Sequence, residues 1–217
     1  MLDAYLRERA AADFDFRKYA CPEDPQPHLL DERVDYYRGK YAICRAIAPR
    51  SILEIGAGFG YCAMAFLEAC PDAEYVGLRS GPVACGGSAG AEDWASRITA
   101  AHRARFIATD GQRLESLPGE GYDLVHVSEP RDGDGTWHDL ELALEKGRWI
   151  IVDGLFESRE CLEASTQFLR KYRSLLEYAV ILPGYPGDLV IRVRDGEQLV
   201  GVAVISDDGE RAEIGNE

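Results

Sequence analysis

The segment richest in chemistry is Glu54-Ile55-Gly56-Ala57-Gly58-Phe59-Gly60. It follows a short apolar run, SILEI at 51–55, and opens a helical pattern over 60–70. In that setting Gly56 permits a tight turn, Gly58 lets a ligand approach the backbone, and Gly60 allows close packing at the helix start. In a parallel sheet such a turn lies at the strands' C-terminal ends, where the ligand crevice forms and a helix N-terminus presents unpaired N–H groups. A nucleotide-type cofactor suits this place. The dinucleotide fingerprint GxGxxG needs a third glycine where Tyr61 stands, so the spacing is instead GxGxG behind an acidic residue.

Other reactive side chains are scattered. His126 lies mid-strand between two valines and reads as an interior histidine, whereas His138 falls in the first turn of a helix and is a candidate general base near the crevice. His28 sits in a proline-rich loop. Six cysteines, at 21, 44, 62, 70, 85 and 161, contain no CxxC pair, so no metal cluster is indicated. Cys44, Cys62 and Cys70 occupy apolar helical stretches and read as small core residues.

Positioning these groups requires alternating strands and helices. After Pro49, strand patterns fall at 51–55, 73–78, 103–109, 122–127, 148–153, 177–182 and 188–193, with helical patterns at 60–70, 89–101, 136–145 and 157–176 between them. That alternation predicts an α/β fold: a doubly wound, mostly parallel, seven-stranded Rossmann-like sheet. The short PGYPG turn at 183–187 makes the last strand antiparallel. Residues 1–48 form an N-terminal helical extension, with helical patterns at 2–19 and 31–48 around a proline-rich loop that could serve as a lid. The core domain spans 49–195. Residues 196–217 add a further strand candidate, LVGVAVI, and an acidic tail. That strand either caps the sheet edge or pairs across a homodimer.

With 24 basic and 38 acidic side chains the net charge is −14, which disfavours a nucleic-acid partner. No apolar stretch is long enough for a membrane span, and the N-terminus lacks a signal-peptide pattern, so a reduced, cytoplasmic protein is expected.

The ExGxGxG turn resembles that of the class I S-adenosylmethionine (SAM) methyltransferases. Two further stretches extend the likeness: YVGLRSGPVACGGSAGAEDWASRI, with its glycine pair before a G-A-x-x-W-A helix, and GEGYDLVHVSEPRDGDGTWHDLELALEKGRWIIVDG. Together they resemble the small-molecule O-methyltransferase-like subgroup over residues 36–194. The resemblance implies SAM as cofactor and a small-molecule acceptor. It places Glu54, Gly56, Gly58, Gly60, Arg79, Asp110, Gly111 and Ser128 around SAM, with Tyr37 over its methionine end and Lys40 or Arg38 at its carboxylate. Trp94 would flank the adenine, and Tyr185 lies in a loop that borders the substrate pocket in relatives.

Two positions depart from that pattern. Relatives hold the ribose with an acidic residue where Arg79 stands, and a guanidinium can only donate. Metal-dependent relatives have an Asp where Ser128 stands. Asp153 then remains alone, followed by Gly154, which is a poor set for a hard divalent ion, so no metal is expected. SAM carries an electrophilic methyl group, so the protein must align an acceptor, exclude water and take up a proton. His138, Glu129 and Asp153 are the candidate bases. Three alternatives stay open: other SAM chemistry such as intramolecular cyclisation, a non-catalytic binding protein on this fold, and an NADP enzyme. The last is weakened because the one Tyr-x-x-x-Lys spacing, Tyr36 to Lys40, precedes the glycine turn.

Overall fold

The computed structural model describes residues 1–24, 26–80, 90–109, 114–128, 132–184 and 186–195. Asp110, Gly111, Glu129, Tyr185 and the 199–205 strand candidate lie outside them.

The described helices are α1 (Leu2–Ala11), α2 (Val34–Ile47), α3 (Tyr61–Ala69), α4 (Gly90–Ile98), α5 (Gly133–Lys146) and α6 (Arg159–Lys171). The strands are β1 (Ser51–Ile55), β2 (Glu74–Ser80), β3 (Ala104–Thr109), β4 (Tyr122–Val127), β5 (Gly147–Val152), β6 (Leu176–Leu182) and β7 (Asp188–Val193). They form one seven-stranded sheet in the order β3-β2-β1-β4-β5-β7-β6. The pairs from β3 to β5 are parallel, and β7 is antiparallel to both β5 and β6. This is the expected Rossmann-like architecture. Strand order reverses between β1 and β4, and that is where an open α/β sheet splays its loops apart into a crevice.

Several boundaries differ from the sequence expectation for local reasons. The first helix stops at Ala11, and Phe16–Tyr19 form a separate 3-10 turn whose N-cap Asp15 accepts from the Arg17 amide. Helix α5 begins three residues early because the Asp132 side chain accepts from the Gly135 amide. Ser158 caps α6 by accepting from the Cys161 amide, and the helix ends at Lys171, giving way to a 3-10 turn before β6.

Side-chain alternation along the strands makes two cores. One face carries Leu53, Ile55, Val125, Val127, Ile150, Val152, Leu189 and Ile191 against Leu140 and Leu144 of α5 and Phe168 of α6. The other carries Ile52, Leu124, Ile151 and Val190 against α2 and α3. Tyr5, Phe14 and Phe16 of the N-terminal extension are buried in this second core, so the extension is packed into the body. Arg9 adds a tie, donating to the Pro183 carbonyl at 2.9 Å.

Candidate active site

The turn after β1 is shaped by left-handed backbone. Gly56, Gly58 and Gly60 have φ of 91°, 34° and 81°. The amides of Gly56 and Ala57 both donate to the Leu78 carbonyl at 3.0 Å, which pins the turn to β2. The glycines serve two different needs. A Cβ on Gly60 would stand 2.8 Å from that of Ala95, so this residue is glycine to admit α4. A Cβ on Gly58 would meet nothing within 4 Å, so this residue faces open space, as a ligand cradle requires.

Beside the turn, the ends of β1, β4 and β5 are laced together. The Ser128 amide donates to Ile55 O at 2.9 Å and the Asp153 amide to Val127 O at 3.0 Å. Ser128, half-buried, and Asp153, buried, therefore stand side by side at the C-terminal edge of the sheet. Arg79 ends up at the same edge on β2, buried, its guanidinium 4.0 Å over the Phe106 ring.

Beneath this edge lies a polar cluster that the sequence does not display. Lys40 of α2 is wholly buried. Its Nζ lies 3.3 Å from Asp153 Oδ1 and donates to Asp188 Oδ1. The Tyr36 hydroxyl donates to the other Asp153 oxygen, and the Lys40 ammonium lies 4.4 Å over the Tyr36 ring. Burial opposes the charge on Lys40, but Asp153 and Asp188 outweigh it and hold the ammonium above its ordinary value. Burial pushes Asp188 up, with Lys40 opposing and Asp153 reinforcing. Tyr36 is pushed well up, first by burial and then by Asp153, and stays a donor. Lys40 is therefore the counter-ion of two aspartates. Arg38 pairs with Asp35 at 2.9 Å.

Glu54 points into the same layer. It accepts from the Tyr75 hydroxyl on one oxygen and lies 3.2 Å from His126 Nδ1 on the other. His126 is fully buried, as expected of an interior histidine, and its Nε2 has no hydrogen-bond partner among the described residues. Glu54, Cys62 and His126 bring their donor atoms within 4.8 Å of one another, a grouping no sequence spacing reveals. Burial and then Glu54 hold the Cys62 thiol well above its ordinary value.

Tyr37 packs into an aromatic group, its ring centroid 4.2 Å from that of Phe16 and 5.7 Å from that of Tyr61. Tyr61 reaches the N-terminal extension: it donates to Asp24 at 3.0 Å and accepts from the Cys21 amide at 2.8 Å. Trp94 donates to the Tyr19 carbonyl at 2.8 Å, and His28 is exposed. His138 lies in the second turn of α5, with Nε2 against the Leu114 carbonyl. A carbonyl only accepts, so Nε2 carries a proton and donates to it.

No family model matches the sequence, and no curated protein matches it. Solved structures do match. A methyltransferase from Podospora anserina (PaMTH1), crystallised with S-adenosylhomocysteine (SAH), superposes with a TM-score of 0.58 at 20% identity, covering 90% of this chain and 89% of that one. The O-methyltransferase TomG from Streptomyces achromogenes, solved with SAM, gives 0.58 at 17% identity over 84% and 90%. An O-methyltransferase from Bacillus cereus with SAH gives 0.56 at 18% identity over 89% and 90%. The chain thus has the class I methyltransferase fold.

Proposed function

We propose that this protein is a SAM-dependent methyltransferase acting on an oxygen or nitrogen of a small molecule without a metal ion. The observation that carries the reading is Gly58: a left-handed residue open to space, in a glycine turn at the point where strand order reverses. The solved structures that share the fold, two with SAH and one with SAM, add to it.

In this reading Gly56, Gly58 and Gly60 shape the turn around the cofactor, with Ser128 and Arg79 at its rim and Asp110 and Gly111 following β3. SAM, when bound, supplies an activated methyl group on a positively charged sulfur. The chain's own part is electrostatic and steric. Below the turn, two aspartates share one lysine, and Glu54 adds a third acid. This surplus of negative charge suits a cationic ligand. Among the three candidate bases, His138 has Nε2 committed to the Leu114 carbonyl, so Nδ1 is the ring nitrogen assigned to take the acceptor's proton. Asp153 anchors Tyr36 and Lys40 and holds the rim in place, while Glu129 stays a candidate outside the described residues. Metal independence is favoured by the donor set. Asp153 already has Lys40 and Tyr36 on its two oxygens, and the neighbouring Ser128 offers only a hydroxyl.

Calorimetric titration with SAM, SAH and NADPH tests the cofactor. Heat on adding SAM and SAH, and none with NADPH, is expected; silence with both sulfur nucleosides sinks the reading. Turnover is then followed as SAH release with EDTA present. Release must depend on an added small-molecule acceptor. SAM consumed without any acceptor would move the assignment to cyclisation or other sulfonium chemistry.

A further inference from the structure

A second reactive site lies at the opposite edge of the sheet from the glycine turn. Cys44 of α2 is wholly buried, while Cys70, the residue that ends α3, is half-buried. Their sulfur atoms are 3.6 Å apart and both are free thiols. Its apolar helical stretch predicts a core position for Cys70, but as the residue that ends α3 it is only half-buried. It borders an open cleft of about 710 Å³ that is also lined by Arg45, Arg50 and Asp72.

We propose that Cys44 and Cys70 form a redox-active pair that a low-molecular-weight disulfide, such as glutathione disulfide, converts to an intramolecular disulfide. The Cys70 thiolate attacks one sulfur of the glutathione disulfide, breaking its S–S bond and releasing one glutathione thiolate. Cys44 gives up its proton to that thiolate. Its sulfur then attacks Cys70 and expels the second glutathione. The protein loses two electrons and two protons, and one disulfide becomes two thiols.

Three observations carry this. The first is proximity. A disulfide needs about 2.05 Å between sulfurs, so a closure of about 1.5 Å suffices. Cys70 lies just past α3 with φ −134° and ψ 78°, outside the helical backbone that would restrain it. The second is a division of roles. The Cys44 thiol faces Cys70 and, with Arg45, lowers the Cys70 thiol against the effect of burial. Burial pushes Cys44 well up. An accessible attacking thiol beside a buried resolving one is what exchange requires. The third is access. The cleft carries charges of both signs, Arg45, Arg50 and Arg103 beside Asp72, Glu74 and Asp123, which suits a zwitterionic peptide such as glutathione, with its carboxylates and its ammonium group.

The bond would join the last turn of α2 to the end of α3. Cys44 stands one turn beyond Lys40, so the bridge would stiffen the helix that carries the buried ion cluster. The inference needs no SAM chemistry and survives if that reading fails.

The test is to incubate the whole protein with glutathione disulfide and map its thiols by mass spectrometry. The expected result is a loss of about 2 Da, a cross-linked peptide pairing Cys44 with Cys70, and a melting midpoint raised by on the order of 5–10 °C. Cys44→Ala should instead stop at a glutathione adduct on Cys70. A stable adduct on Cys70 in the unsubstituted protein, a cross-link between other cysteines, or no reaction at either thiol would overturn the proposal. The mapping of the unsubstituted protein decides this even if the Cys44→Ala chain fails to fold.

Discussion

The two faces of the sheet solve the same packing problem with different chemistry. Against α5 and α6 the strands present an unbroken aliphatic surface, Leu53, Ile55, Val125, Val127, Ile150 and Val152 among them. Against α2 and α3 the same strands end in Glu54, His126 and Asp153, and β7 begins with Asp188. Apolar burial is non-directional, so the first face needs only volume and complementarity. The second face must pair its buried charges, because an unpaired one costs several kcal/mol. Its partners come from far along the chain: Lys40 lies 113 residues from Asp153 and 148 from Asp188. The polar face is therefore the specialised one, and it lies beneath the proposed cofactor turn.

The contrast can be broken most directly at Lys40. Lys40→Ala leaves two aspartates facing one another without a counter-ion and should cost about 3–5 kcal/mol in urea unfolding. Ile150→Ala on the aliphatic face should cost about 2–4 kcal/mol. Adding Asp188→Asn to Lys40→Ala should recover part of the loss, whereas Asp188→Asn has no bearing on Ile150→Ala. A Lys40→Ala protein as stable as its parent would remove the distinction between the faces.

Next in size is a catalytic effect. His138→Asn keeps a donor for the Leu114 carbonyl but loses the basic nitrogen. Methyl transfer should fall by about 100-fold with little change in unfolding midpoint. An unchanged rate would return the proton-accepting role to Glu129 or Asp153.

The glycine turn separates packing from binding within three residues. Gly60→Ala meets Ala95 and strains a left-handed residue, so it should cost about 1–3 kcal/mol of stability. Gly58→Ala meets no protein atom. Beyond the smaller strain of its φ, it should show mainly as SAM affinity weakened by roughly tenfold or more in calorimetry. Equal losses of affinity in the two variants would mean that Gly58 does not face the ligand.

The smallest effect is with pH. Lys40 is held above its ordinary 10.5 in the folded chain. The native state keeps that proton longer than the unfolded state does. Its contribution to stability is therefore fully present below about 10.5 and lost as pH rises through the raised folded value. Buried Tyr36 and Tyr75, both pushed up, act in the same direction. Urea midpoints between pH 9 and 12 should decline, and less steeply in Lys40→Met.

Much of the frame is legible in residue order. SILEI followed by three alternating glycines predicts strand, turn and helix because few other sequences tolerate left-handed backbone at those positions. The run of strands and helices predicts a parallel sheet because parallel neighbours need crossovers. Helix ends are less legible: α5 starts where Asp132 caps it, and a cap is a local competition that periodicity does not register. The candidate site divides similarly. The glycine turn, Ser128 and Asp153 gather at one edge, as their places at strand ends require. Lys40 and Tyr37 read as cofactor contacts from their place before the first strand; that Lys40 is also a buried counter-ion and that Tyr37 packs on Phe16 is visible only in the fold. Asp188 and the Cys44–Cys70 pair carry no local pattern at all.

By itself the order of residues determined what short-range rules govern: which segments extend, which coil, where the chain turns left-handed, and how acidic the surface is. The folded chain alone decided which charges meet. Electrostatic partnership and thiol proximity depend on distances of a few ångströms between residues tens to hundreds of positions apart. Those distances exist only once α2 and α3 have docked on the sheet.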